Sequence, residues 1–182
     1  MSCSLRNTRL SLKGVVELAD AMEHNSQVET IRFSETTLSM KELRRSDENP
    51  SVSLDLASKN HSVLDVAFIA TMIHHDSALE FLNLSENSLC GPKGTNLLGF
   101  QRLTQALDHR NSVLTTLILQ RVGLRSDGLL EVVKVMLGIH HLRELDLSKN
   151  PLSCDGANRN SLTGFKAFCK ALRRNVSIQT LV

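Results

Sequence analysis

Seven histidines and four cysteines are the residues of this 182-residue chain best suited to chemistry, so their spacing comes first. Histidines that recur on one face can hold a transition metal when carboxylates or thiolates recur beside them. His24 and His75 occupy equivalent places in a repeating pattern, with His74 adjacent, but no carboxylate or cysteine recurs at a matching distance. They fall near expected helix ends, where an imidazole faces solvent and the helix dipole. His140 and His141 read as a solvated turn, so no metal site is expected. Cys3, Cys90, Cys154 and Cys169 make no C-x-x-C pair, which argues against a zinc site or a disulfide framework and for reduced, partly buried thiols. The segment Cys90-Gly91-Pro92-Lys93-Gly94-Thr95 has the composition of a phosphate loop without its spacing, and it precedes its helix instead of opening it. There is no G-x-S-x-G elbow, no H-E-x-x-H and no recurring carboxylate pair. An enzyme would have no catalytic residue and no cofactor loop here, so a non-enzymatic, cofactor-free protein is expected.

Composition narrows the partner class. Lys and Arg total 21 against 19 Asp and Glu, a formal charge of +2, too even a balance for a surface that neutralises a phosphate backbone. Aromatic residues are 3% of the chain, with six Phe and neither Trp nor Tyr, so stacking platforms for single strands are missing. No apolar run is long enough to span a bilayer, and the first residues are polar. The expectation is an intracellular protein, cytoplasmic or associated with the cytoskeleton, that binds neither nucleic acid nor membrane.

Those residues are carried by a repeat. Leu79-Glu80-Phe81-Leu82-Asn83-Leu84-Ser85-Glu86-Asn87-Ser88-Leu89 and Leu142-Arg143-Glu144-Leu145-Asp146-Leu147-Ser148-Lys149-Asn150-Pro151-Leu152 both fit L-x-x-L-x-L-x-x-N-x-L. A third copy, Leu114 to Leu124, keeps the leucines but has Val122 at the asparagine, and a fourth runs from Val28 to Leu38. Anchors at Cys3, Ile31, Leu54, Leu82, Leu117, Leu145 and Leu181 lie 28, 23, 28, 35, 28 and 36 residues apart. Between anchors the apolar period changes from two to about 3.6, the mark of strand–helix units. Leu10, Gly14, Leu18 and Met22 form one expected helix stripe, and Leu124, Gly128, Val132 and Met136 another. Asn25, Asp76, Asn111 and Asn175 stand six residues before the next anchor, where a left-handed residue would close the helix.

The pattern resembles the leucine-rich repeat family of the ribonuclease-inhibitor-like type. That resemblance implies an α/β fold: a right-handed leucine-rich-repeat solenoid, or horseshoe, with a parallel concave sheet and convex helices. It implies one domain over 1–182 of about six to seven repeats, incomplete at both ends, with an irregular short repeat at 31–53 and long loops at 90–98 and 153–163. Asn87 and Asn150 match the motif asparagine, whereas Thr36, Lys59 and Val122 depart from it and His61 replaces a leucine, so the turns there should be less regular. Further repeats or other subunits are expected to cover the terminal strands.

Alternation along each strand sends one set of side chains to the concave surface. The candidate partner-binding residues are Arg32, Asp55, Phe81, Asn83, Thr116, Ile118, Glu144 and Asp146, with Phe81 and Ile118 as apolar positions near the middle. The expected function is binding another protein, through this face or through the rim carrying the long loops. Two alternatives follow from the resemblance: a GTPase-activating protein similar to the activator of Ran, or a structural subunit of a large cytoskeletal or ciliary assembly.

Overall fold

Three-residue strands alternate with helices because the period of the apolar residues alternates, and a computed structural model shows how these units assemble. It describes residues 1–6, 8–44, 52–74, 78–108, 112–155, 157 and 159–182. The order is β1 (Ser2–Ser4), α1 (Leu12–Glu23), β2 (Thr30–Arg32), β3 (Leu38–Ser39), α2 (Met40–Leu43), β4 (Ser53–Asp55) and α3 (Val63–Ile73). Then come β5 (Phe81–Asn83), a 3-10 turn at Pro92–Gly94, α4 (Leu98–Leu107), β6 (Thr116–Ile118), α5 (Ser126–Gly138), β7 (Glu144–Asp146), α6 (Thr163–Leu172) and β8 (Thr180–Leu181).

The expected single horseshoe sheet is corrected. The strands form two sheets, a five-stranded all-parallel one in the order β4-β5-β6-β7-β8 and a separate three-stranded one in the order β1-β2-β3. The protein is α/β, but the right-handed leucine-rich-repeat horseshoe with one continuous concave sheet is not its architecture. The short unit explains the break. After β2 the chain turns back and pairs antiparallel with it, Leu38 opposite Ile31 and Ser39 opposite Thr30, so β3 occupies the edge that β4 was expected to take. A single helical turn, α2, follows, capped by the Ser39 hydroxyl accepting from the Glu42 N–H. The polar stretch 45–51 lies outside the described residues.

The helix layer runs across the break. Apart from the single turn α2, the helices pack in sequence as α1, α3, α4, α5 and α6. Phe33, just after β2, stacks at a tilt on Phe68 of α3 with ring centroids 5.4 Å apart, and Ser34 Oγ donates to Asp65 Oδ1 of α3 at 2.6 Å. Lying between α1 and α4, α3 buries Val66, Ala67, Phe68, Ile69 and Ala70, so its apolar residues are not confined to one stripe. The α5 stripe lies in the core as expected, but α1 is rotated: Val15, Ala19 and Met22 are buried while Leu10 and Leu18 pack at the margin. Gly99 of α4 and Gly164 of α6 let their helices sit on the first turns of α3 and α5. A Cβ at either would run into the carbonyl of Val63 or of Ser126.

Helix ends also differ from expectation. Asn25 and Asn175 are not left-handed; each accepts two backbone N–H groups with Oδ1, from Gln27 and Val28 and from Ser177 and Ile178. The side chain thus supplies the acceptor that begins the return to the next strand. Asp76 and Asn111 lie outside the described residues.

The strand-to-loop turns are more regular than the motif departures suggest. Ser58, Glu86, Arg121 and Lys149, each four residues after its anchor, all take φ between 52° and 58°. Asn87 Nδ2 donates to Leu84 O and Ser85 O of its own turn and to Leu56 O of the preceding unit, and its Oδ1 accepts the His61 N–H at 2.8 Å. Asn150 does the same for its own turn and for Leu119, Val122 and Leu124. Each asparagine therefore serves two units, which is why Lys59 and Val122 are tolerated in between. Asn87→Ala strands a buried N–H and leaves several carbonyls underbonded, so it should cost more than about 2 kcal/mol in denaturant unfolding. A loss within that of an exposed substitution would contradict this role.

Candidate functional site

In β4 to β7 the residues at the anchors are buried on the helix side, so their neighbours form the opposite face, whereas Leu181 of β8 is exposed. Leu54, Leu82, Leu117 and Leu145 are buried, and no element covers the other side chains of these strands among the described residues. The register makes two rows there. Ser53, Phe81, Thr116, Glu144 and Thr180 form one, and Asp55, Asn83, Ile118 and Asp146 the other. Seven of the eight candidate residues are thereby brought onto one surface. Arg32 is not: it stands on β2 of the other sheet, opposite Ser4, with Nη2 donating to Glu35 O.

The polar members of the second row have a local task. Asp55 Oδ1 accepts from the Ala57 N–H, Asn83 Oδ1 from the N–H and hydroxyl of Ser85, and Asp146 Oδ1 from the Ser148 N–H. These are side chain to backbone turns two residues on, formed where each strand ends. Alternation alone places these residues on the face; their share in the turn was missed, although the recurring Asp/Asn two residues before Ser or Ala was its signal. Ile118 has no such acceptor, and Gln120 Nε2 donates instead to Ser148 Oγ of the next unit at 3.0 Å. Phe81 and Ile118 are both half-buried and lie diagonally on neighbouring strands, an apolar pair bordered by Thr116, Asn83, Asp146 and Glu144.

The long loops are anchored alike. The first folds beside the start of α3, where Gly91 faces Val63. The second folds beside the start of α5: Cys154 O accepts the Ser126 N–H, and Arg125 Nη1 donates to Asp155 O. Within it Asp155 takes the N–H groups of Arg159 and Ala157 and the Arg159 guanidinium, and the Arg159 N–H does most to hold its carboxyl below the ordinary range.

The groups first considered for chemistry are dispersed. Cys90 is fully buried, and burial pushes its thiol up to about 12, far from a reactive thiolate. Cys3, Cys154 and Cys169 are free and half-buried. Among the described residues no three His, Cys, Asp or Glu side chains converge as a metal site would need. His140 and His141 are exposed, His24 Nδ1 lies 3.2 Å from Asp20 O, and His75 is outside the described residues. Among the described residues no helix is long and apolar enough to cross a membrane.

The unforeseen histidine is His61. It is 1% exposed, with Nδ1 3.5 Å from Thr36 Oγ1 and Nε2 without a partner. Burial lowers its proton affinity, and this outweighs the pull of the nearby Asp65 carboxylate. The sequence signal was its place in a leucine slot; what surrounds it was not readable there. No family model matches this chain, and no curated protein matches it.

Two outcomes follow. Asp55→Ala and Asp146→Ala should each lower stability by about 0.5–1.5 kcal/mol while the corresponding Asn variants change little, measured by chemical denaturation. Because His61 takes up its proton more readily unfolded than folded, it should cost stability as pH falls below about 6.5, by at most about 1.4 kcal/mol per pH unit, and nothing above about pH 7.5. The difference between wild type and His61→Leu across pH 5 to 8 isolates that slope, and parallel curves would show that His61 is not the group responsible.

Proposed function

We propose that this chain is a non-enzymatic protein-interaction module that engages a partner protein through the open face of its five-stranded sheet. One observation carries the reading. Parallel sheets are almost always covered on both faces, whereas here helices cover only one, and the other presents two registered rows with Phe81 and Ile118 at their middle. An apolar pair bordered by polar groups suits a small contact core with a solvated rim. A short, flat array of side chains on paired strands loses little entropy when a partner orders it, because its backbone is already fixed. The compartment that goes with this reading is intracellular.

Asp146 and Asp55 are poor probes of the surface, since their substitution also disturbs a turn. Phe81 and Ile118 have no such bond, so the double variant Phe81→Ala, Ile118→Lys tests the face directly. In affinity capture with the full chain, the wild type should retain a specific protein and the variant should lose it by about 100-fold or more in Kd, with the thermal midpoint nearly unchanged. Undiminished capture by a folded variant would reject the face as the binding surface.

A further inference from the structure

The two rows of the open face carry three ionisable side chains, Asp55, Glu144 and Asp146, and all three are acids. The chain as a whole has a formal charge of +2, so the face departs in sign from the rest of the molecule. Among the described residues none of the three belongs to an ion pair. Asp55 and Asp146 each give Oδ1 to a backbone turn, which leaves Oδ2 for a partner, and the Glu144 side chain makes no hydrogen bond. Arg121 and Lys149 stand on the left-handed turns at the rim, beyond the bond from Gln120 to Ser148, and answer none of these charges.

The acids do not cluster, because the register sets them on opposite sides of the apolar pair. Along the second row the order is Asp55, Asn83, Ile118, Asp146, one residue from each of β4, β5, β6 and β7. Neighbouring strands lie about 4.8 Å apart, so the two aspartates are separated by three spacings, about 14 Å. Glu144 lies two residues before Asp146 on the same side of β7, which gives that end of the row a pair of carboxylates. Phe81 stands in the same relation to Asn83 on β5. An extended polypeptide shows every second side chain to one face at a repeat of about 6.8 Å, so its residues i and i+4 are also about 14 Å apart. A strand laid across β4 to β7 therefore matches the row. Its outer side chains reach the acids, and the central one falls between Asn83 and Ile118, against Phe81.

We propose that the partner segment received by this face is an extended basic one of the form basic-x-apolar-x-basic. Lys or Arg sits over Asp55, an aliphatic side chain over Phe81 and Ile118, and Arg over Glu144 and Asp146. The inference rests on the sheet-face reading and adds the chemistry of the occupant. An acidic or phosphorylated segment would bring like charge to three unpaired carboxylates. Arginine suits the β7 end because its planar fork of five donors can bond two carboxylates at once, whereas the single carboxylate on β4 accepts either cation.

The test uses the full chain, ¹⁵N-labelled, titrated to millimolar concentration with three peptides in glycine-serine flanks. These are Arg-Ser-Leu-Ser-Arg, the neutral Gln-Ser-Leu-Ser-Gln, and Arg-Arg-Leu-Ser-Ser, which keeps the composition and loses the spacing. The first should shift the amide signals of β4 to β7 and bind about tenfold more tightly than the neutral peptide, with a several-fold lead over the respaced one. Salt should narrow the gap to the neutral peptide, since exposed ion pairs are screened. The combined variant Asp55→Asn, Glu144→Gln, Asp146→Asn keeps each turn acceptor and should bring the basic and neutral peptides within about twofold. Equal affinity for the basic and neutral peptides, or for the two basic ones, with shifts confined to β4 to β7 would overturn the basic occupant and leave the face as a binding surface. Shifts on other elements, or none with any peptide, would overturn it too, and partner capture with Phe81→Ala, Ile118→Lys then judges the face by itself.

Discussion

The constraint on which this structure rests is that backbone groups at the end of each strand are turned inward where water cannot reach them. A helix or a sheet satisfies its own polar groups, but the sharp turn between them does not. Asn87, buried, and Asn150, half-buried, are the solution, each an amide with two donors and an acceptor that bonds its own turn and the turn before it. One asparagine per pair of units is sufficient, so the intervening positions are free to become Lys59 and Val122 without changing the left-handed residue that precedes them. Regular turns in turn hold the strands in register.

The register has two consequences. It lines the anchor leucines against the helices, which supplies the apolar burial that a three-residue strand could not gain alone. It also stacks the alternate side chains into rows on the other face, so a surface arises as the by-product of a core. Part of that surface is committed to folding, since Asp55, Asn83 and Asp146 turn an oxygen back to the backbone. The rest of the face is the apolar pair Phe81 and Ile118 with the Thr116 and Glu144 side chains beside it, the part the proposed interaction would centre on.

The junction between the sheets shows the opposite economy. There the chain departs from its own pattern three times, at Thr36, at Lys59 and at His61, and the departures meet. Thr36 and Ser34 link His61 to Asp65, and Lys59 pairs with Glu42. A leucine at 61 would remove a buried unpartnered nitrogen, so the histidine costs stability relative to the residue of the other units. The break in the sheet and the meeting of these residues have one origin, the short unit whose β3 takes the edge of β2.

Much of this was determined by the sequence alone. The anchors at Leu54, Leu82, Leu117 and Leu145 and the alternation that puts Phe81 and Ile118 on the far face are local, because period and side-chain direction depend on residues a few positions apart; the bonds by which Asn87 and Asn150 reach the preceding unit span 26 to 31 residues and are not. Which edge each strand would pair with is not local. The sequence read as one sheet, but the two-residue strand β3, with five residues between it and β2, won the edge of β2, because a near partner closes at lower entropy than a strand that must arrive from beyond a polar stretch. For the same reason Arg32 left the candidate surface, Asn25 and Asn175 bond through their side chains where the sequence pattern pointed to left-handed caps, and His61 could be noticed as an exception without showing what it faces. Only the tertiary structure brings Thr36, Ser34 and Asp65 around that ring, since their meeting depends on helix α3 docking beside the first sheet.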